Sequence, residues 1–236
     1  MCTVSFVSNF GKTIITSNRD EQILRPSAIE PKSYIINNKN IIFPKDPKAG
    51  GTWYAVDELG TVLVLLNGAD EKHVVQIPYR KSRGLIVLDI ISSLNPIDFW
   101  QEIDLDNIEP FSLVLYHKEE LYQLQWNSFG KLTTKLDIHK KHIWSSATLY
   151  PKEIREKRAD WFFNYLDKNP EISENEMLHF HKYTEDNNTE NGLVINREGK
   201  LKTLSITQSV IDNNKVTIHY HDLIADKNFE TSFTII

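Results

Sequence analysis

The chain has 236 residues, a formal net charge of −5 and 40% hydrophobic residues, a composition typical of a globular protein with a sizeable core. Because lysines and arginines are interspersed among the carboxylates, the sequence argues against nucleic acid as the main partner. The single cysteine, Cys2, excludes an intrachain disulfide and any metal site built from several thiolates.

The apolar runs are too short for a membrane helix. The longest, Val62 to Leu66, falls far below the roughly 20 residues that a span needs, and no cationic segment followed by an apolar stretch opens the chain. We therefore expect a cytoplasmic protein without an integral membrane span. No repeat or low-complexity linker divides residues 1–236, which predicts a single domain.

The first twenty residues have the pattern of a β-hairpin. Polar and apolar residues alternate from Cys2, residues 9–11 supply turn chemistry, and a β-rich pattern resumes after them. If the turn centres on residue 10, antiparallel pairing brings Cys2 opposite Asn18. Arg19 and Asp20 are then expected just past the end of the second strand.

The later pattern groups strands and helices separately. Further strands are predicted at 33–37, 40–43, 53–57, 61–66, 111–116, 121–126, 131–136, 201–206, 216–220 and 229–235. Helices are predicted to begin near Ser82, Asn95, Pro151 and Ser173. Strands in runs with helices grouped between them favour an α+β architecture over an alternating parallel sheet.

Common cofactor motifs are missing from the sequence. No phosphate-binding G-x-x-x-x-G-K-[ST], no G-x-G-x-x-G after a strand and no H-E-x-x-H occurs. His219 and His221 would share one face of a strand, but the spacing suggests no third ligand, and a solvated face explains them more simply. We expect no metal site and no cofactor required for catalysis.

Cys2 could serve as a nucleophile. Initiator methionine is normally removed before cysteine, which would leave a thiol and a free α-amine on one residue. An amine pKa of about 7.7–8.0 beside a thiol pKa of about 8.5 gives a nucleophile with its own base. The alternative is a small apolar residue in a first strand.

Polar residues near the predicted hairpin end could complete such a site. Asp20 could hold the α-ammonium group, and Arg19 could favour the thiolate or bind a substrate carboxylate. A polar turn with a surface ion pair explains the same two residues. Asn67 ends an apolar strand, where it could donate to a developing oxyanion or simply form a turn with Gly68.

Several segments of the first 90 residues occur together in a recognisable order. They are Met1-Cys2-Thr3-Val4-Ser5-Phe6-Val7, Thr16-Ser17-Asn18-Arg19-Asp20-Glu21, Arg25-Pro26, Gly50-Gly51-Thr52-Trp53 and Ser82-Arg83-Gly84. Together they resemble the NRDE family, also called the transport and Golgi organisation 2 family. The resemblance implies an N-terminal-nucleophile hydrolase fold, a four-layer αββα sandwich of two antiparallel sheets between helical layers.

The resemblance also implies roles for individual residues. Cys2 occupies the nucleophile position, Asn18 and Asp20 match a segment that faces it in related amidases, and Asn67 matches an oxyanion-hole asparagine. Two positions depart from the pattern. Ser146 stands where an asparagine is usual and Lys202 where an arginine is usual, which weakens the second oxyanion contact and the distal cationic contact.

Two functions remain as hypotheses. The first is a cysteine amidase that acts on a small linear amide or related acyl compound, with Cys2, Asp20 and Asn67 as catalytic residues and Asn18 and Arg19 beside the substrate. The second, implied by the family resemblance, is a protein that binds or moves haem, acyl-CoA or lipid without catalysis.

The carrier hypothesis uses a basic segment. Arg83 near a helix N-terminus, together with Arg80, Lys81 and Lys202, could meet propionate or phosphate groups, and Trp53 could form an apolar wall. A solvated basic loop explains the same cations. A structural protein with a vestigial pocket is a third hypothesis, and the sequence does not indicate an oligomeric state.

Overall fold

The computed structural model describes residues 2–9 and 11–235, with the backbone alone at Cys2. Removal of Met1 and the contacts of the Cys2 side chain therefore lie outside the described residues. The strands are β1 (Cys2–Asn9), β2 (Lys12–Gln22), β3 (Ile29–Ile36), β4 (Lys39–Lys45), β5 (Tyr54–Asp57), β6 (Val62–Asn67), β7 (Phe111–His117), β8 (Glu120–Trp126), β9 (Lys131–Leu136), β10 (His142–Ser145), β11 (Asn196–Arg197), β12 (Leu201–Asp212), β13 (Lys215–Asp222) and β14 (Lys227–Thr234). The helices are α1 (Arg83–Ile91), α2 (Pro96–Glu102), α3 (Lys152–Lys168) and α4 (Glu174–Tyr183).

The strands form two antiparallel sheets. Sheet A has the order β10-β1-β2-β12-β13-β14, with β11 also paired to β12, and sheet B runs from β3 to β9 in chain order. Two-residue turns join β3 to β4 and β7 to β8 in this sheet. Asn37 and Asn38 have φ values of 51° and 64°, and Lys118 and Glu119 have values of 50° and 59°, the left-handed pairs typical of two-residue hairpin turns.

Each sheet is covered on both faces. Val4 and Phe6 of β1 belong to the core between the sheets, whereas Val7 and Ile14, on the opposite face of sheet A, pack with Phe162 of α3. Helix α1 contacts β5 and β6 of sheet B, α3 contacts β10 and α4 contacts β2 and β12 of sheet A. The predicted α+β class and four-layer αββα sandwich are therefore confirmed. Among the described residues, every helix is too short or too polar to traverse a bilayer.

The first hairpin corrects the predicted register by one residue. Asn9 pairs with Lys12, so Cys2 lies opposite Arg19, and Asn18 instead lies opposite Thr3. Strand β2 also continues through Gln22, because it pairs along its other edge with β12. Arg19 and Asp20 therefore lie inside a strand rather than past its end.

Candidate functional site

A cleft of about 540 Å³ lies where the ends of β2 and β6 meet the start of α1. We call it the first cleft. Its lining includes Arg19, Arg25, Asp46, Trp53, Asn67 and Arg83. The structure thus brings together six of the residues that the sequence analysis names as candidates: Arg19, Trp53, Asn67, Arg80, Lys81 and Arg83.

Two glycines set one wall of the first cleft. A Cβ atom on Gly51 would lie 2.3 Å from the backbone carbon of Gly84, and one on Gly84 would lie 2.8 Å from the carbonyl oxygen of Thr52. The Thr52 N–H donates to the Gly84 carbonyl at 3.1 Å. Because only glycine permits backbones this close, these two positions hold the start of α1 against the segment that carries Trp53.

Arg19 is fixed on the floor of the first cleft. Its side chain is buried, with the guanidinium carbon 4.0 Å from the centre of the Trp53 ring and Nη2 3.2 Å from Oδ2 of Asp46. Arg25 donates from Nε to the same carboxylate oxygen at 2.6 Å. Burial alone would raise the pKa of Asp46, but the hydrogen bonds and charges of the two arginines and the Ala49 N–H lower it below its usual range.

The other cations of the first cleft also have acidic partners. Arg83 pairs with Glu109 at 2.9 Å, Arg80 with Asp104 at 3.1 Å, and Lys81 with Asp89. Burial lowers the pKa of Arg83, and the neighbouring Glu109 opposes that shift. An anionic ligand in the first cleft would therefore compete with carboxylates that are already in place.

Asn67 presents an available amide to the first cleft. It ends β6 and is half-buried, and its side-chain amide has no hydrogen-bond partner among residues 2–9 and 11–235. Its backbone carbonyl accepts a hydrogen bond from the Ser146 hydroxyl at 2.8 Å. A Cβ atom on Gly68, whose φ is +83°, would lie 2.9 Å from the Thr148 side chain, so this turn packs directly on residues 146–148.

A second cleft of about 210 Å³ lies on the other side of that contact. It is bounded by the inner face of sheet B, strand β10 and the start of α3, and its lining includes Leu66, Gln123, Gln125, Trp144 and Arg155. We call it the second cleft.

The backbone places position 2 between the two clefts. Strand β1 lies between β2 and β10 in sheet A. Cys2 is opposite Arg19 on one side, and the neighbouring Thr3 is opposite Ser145 on the other. Because residues 4 and 6 of β1 face sheet B, alternation assigns position 2 to the same face of the sheet.

Asn18 does not reach either cleft. It is fully buried on the helix-facing side of sheet A, where its amide donates to the carbonyls of His181 at 3.0 Å and Leu193 at 2.8 Å. Its oxygen contacts Nδ1 of His181. The one-residue change of register turns position 18 away from position 2, and the substrate-binding role of Asn18 stays a prediction.

Asp20 shares the helix-facing side of the sheet. Its carboxylate accepts hydrogen bonds from the Tyr150 hydroxyl and the Thr203 hydroxyl, each at 2.7 Å. Burial raises the pKa of Asp20, although Arg158 and the two hydroxyls oppose that shift. Whether it meets the α-amine of residue 2 lies outside the described residues, so its catalytic role stays a prediction.

Lys202 does not line the first cleft. It lies on β12, opposite Glu21 of β2.

Sequence reasoning missed Asp46, Glu109 and Arg155. The ion-pair partners of Asp46 lie up to 27 residues away in sequence, and Arg155 sits in a helix rich in charges, where no local pattern distinguishes it.

Comparisons with known proteins agree with this architecture. The family model described as Transport and Golgi organisation 2 matches residues 1–228. Comparison with curated proteins gives no match. Among solved structures, the Caenorhabditis elegans ortholog of N-acylethanolamine-hydrolyzing acid amidase is similar with a TM-score of 0.65 and 11% identity, covering 88% of this chain and 92% of that one.

Two variants of the conjugated bile acid hydrolase from Clostridium perfringens are also similar. Both are 9% identical and cover 99% of this chain, with TM-scores of 0.58 and 0.61 over 97% and 92% of their own chains. At such identities the likeness establishes the fold alone, which is that of the N-terminal-nucleophile hydrolases. Since the family model spans nearly the whole sequence, the chain belongs to the Transport and Golgi organisation 2 family.

Proposed function

We propose that the protein is a cysteine amidase that hydrolyses a small linear amide, with Cys2 as its N-terminal nucleophile. The register of the first hairpin carries this proposal. It assigns position 2 to the face of sheet A that looks toward sheet B, opposite the buried Arg19 and between two clefts. An extended substrate could then lie across position 2 with one end in each cleft.

The proposed reaction has two steps. After removal of Met1, the α-amine of residue 2 takes the thiol proton, and the sulfur attacks the amide carbonyl carbon. The C–N bond breaks as the amine returns that proton to the leaving nitrogen, which gives a thioester and a free amine. Water then attacks the thioester, releasing a carboxylic acid and restoring the thiol.

In this proposal, Asn67 stabilises the developing oxyanion and Arg19 stabilises the thiolate. The Asn67 amide lies in the first cleft with no hydrogen-bond partner in the described part of the chain, so it is free to donate to the oxygen that becomes negative during attack. Arg19, held by Asp46 and Trp53, keeps a positive charge next to position 2, which favours the thiolate.

The solved structures with this fold support the reaction class. One is named an amidase and the other a conjugated bile acid hydrolase. Carriage of haem or acyl-CoA in the same cleft stays a prediction that no contact favours, because each cation of the first cleft is already paired with a carboxylate.

The test begins with the intact mass, which should show loss of Met1. Iodoacetamide should then label the purified protein once, since Cys2 is its only cysteine. The protein should hydrolyse members of a panel of fluorogenic linear amides, and Cys2→Ala should abolish turnover. Asn67→Asp, which keeps the side-chain shape but removes the N–H donors, should lower kcat by roughly 10²–10³-fold. Retention of Met1, or no hydrolysis of the panel by the wild type, would reject the proposal.

A further inference from the structure

Arg155 is an unpaired cation in the second cleft. It lies in the first turn of α3, and its guanidinium makes no hydrogen bond or ion pair with any residue that the structure describes. Its Nε atom is also shielded from water without a partner. This contrasts with the first cleft, where every cation has a carboxylate. A guanidinium that lines a cleft without an acidic partner is available to an anionic ligand.

The second cleft contains a further available donor. The Gln123 side-chain oxygen accepts a hydrogen bond from Nε1 of Trp144 at 3.2 Å, which leaves its NH₂ group without a partner in the described part of the chain. The acidic residue of the lining, Asp70, accepts a hydrogen bond from Gln125 at 3.0 Å and is exposed. It does not form an ion pair with Arg155, so it leaves the guanidinium available.

We propose that the second cleft is a carboxylate-binding subsite, with Arg155 as the principal ligand-binding residue and Gln123 as a second donor. A guanidinium presents two parallel N–H groups that match the two oxygens of a carboxylate, and the match is stronger where water is partly excluded. The cleft of about 210 Å³ has room for a small carboxylate-bearing group.

The position of this subsite defines a substrate class, an assignment that rests on the proposed function. Position 2 lies between the two clefts, so a group held at Arg155 would be one end of the amide that the nucleophile attacks. The protein would therefore prefer amides with a carboxylate a few bonds from the scissile bond. Binding of a carboxylate at Arg155 depends only on the second cleft and not on the amidase proposal.

Binding is tested without catalysis in the full-length Cys2→Ala protein. N-acetylglycine, a small amide with a carboxylate, is titrated while amide chemical shifts are followed by NMR, and its neutral counterpart N-acetylglycinamide is titrated in parallel. We expect saturable binding of the first only. Arg155→Gln should weaken it roughly tenfold or more, and Arg155→Lys should weaken it less.

Lys157→Gln is the matched control, because it removes the same charge from an exposed position of the same helix. It should leave binding unchanged. Equal binding of the neutral amide, or unchanged binding in Arg155→Gln, would overturn the subsite. Binding that depends on Arg155 in a protein whose wild type hydrolyses nothing would leave the subsite standing and remove the amidase proposal. Hydrolysis of a carboxylate-bearing amide with the same KM in wild type and Arg155→Gln would overturn the subsite and leave the amidase proposal standing.

Discussion

The Ser146 hydroxyl donates a 2.8 Å hydrogen bond to the backbone carbonyl of Asn67, and this contact joins the two sheets between the two clefts. Ser146 follows β10 of sheet A, whereas Asn67 ends β6 of sheet B. Because the Asn67 amide has no partner among the described side chains, its position depends on its own backbone. Ser146 is therefore a positioning residue for the proposed oxyanion donor.

Ser146→Ala should lower both stability and turnover. Loss of a buried hydrogen bond should reduce the free energy of unfolding by about 1–2 kcal/mol, with Thr148 as a weaker remaining donor at 3.4 Å. If Asn67 acts in the transition state, kcat should fall while KM changes little. Urea unfolding and steady-state kinetics measure the two effects.

Ser93→Ala serves as the comparison for Ser146→Ala. Its hydroxyl donates to the Ile90 carbonyl at 2.7 Å at the end of α1 remote from the first cleft. It should cost similar stability and leave kcat unchanged. A kcat equal to that of wild type in Ser146→Ala would contradict the positioning role.

The sequence predicts more of the fold than of the site. Alternation and turn residues predicted the first hairpin, but the exact pairing depends on a turn geometry that composition does not specify. A slip of one residue moves every side chain to the other face. The predicted pairing places Asn18 opposite Cys2, whereas in the structure Asn18 lies opposite Thr3 and donates to the His181 carbonyl.

The contacts of the clefts depend on residues distant in sequence. Arg19 and Asp46 meet only because the loop after β4 folds over the end of β2, and Gly51 meets Gly84 across 33 positions of chain. Local periodicity reports which face of a strand is apolar, and it does not report which charged residues will pair. The position of Asn67 was predictable because a strand end marks it, whereas Arg155 has no such mark.

Gly51→Ala should disrupt the first cleft. The added Cβ atom would lie 2.3 to 2.6 Å from backbone atoms of Gly84 and Leu85, which cannot move independently of α1. We expect a loss of at least about 2 kcal/mol in the free energy of unfolding, as for other overpacked sites. Gly130→Ala is the matched control, since nothing lies within 4 Å of its added Cβ and its φ is not positive. Similar midpoints in chemical denaturation for the two variants would contradict this account of the wall.

The stacking of Arg19 on Trp53 should be measurable as a coupling energy. Arg19→Lys keeps the charge beside Asp46 but loses the planar group 4.0 Å from the ring centre. A double-mutant cycle of Arg19→Lys with Trp53→Leu should give a coupling of about 1 kcal/mol. Arg25 binds the same carboxylate without contacting the ring, so the cycle of Arg25→Lys with Trp53→Leu should give nearly zero. Equal couplings would show that the ring contributes nothing specific to Arg19.

His181 should make the protein less stable in mild acid. Burial, with a smaller effect of the nearby Arg158 charge, lowers the pKa of His181 to about 3 from its usual 6.5. Its neutral form fits its partners, because Nδ1 faces the oxygen of Asn18 and can donate to it, while Nε2 lies 2.7 Å from the Ser5 hydroxyl and can accept from it.

The sign follows from proton binding. Between pH 3 and 6.5 the unfolded chain binds a proton at this histidine and the folded protein does not, so the stabilisation present above pH 6.5 is lost as the pH falls through that window. Asp20 changes stability with pH in the opposite direction. Burial raises its pKa, so the folded protein binds this proton more readily than the unfolded chain does.

Comparing wild type with His181→Gln removes the contribution of Asp20, which is common to both proteins. From pH 7 to pH 4 the free energy of unfolding of the wild type should fall by roughly 2–4 kcal/mol more than that of the variant. His139→Gln, a change at an exposed histidine, should retain the full pH dependence of the wild type. Guanidinium unfolding at several pH values measures these differences, and parallel curves for wild type and His181→Gln would show that His181 is not held neutral in the folded protein.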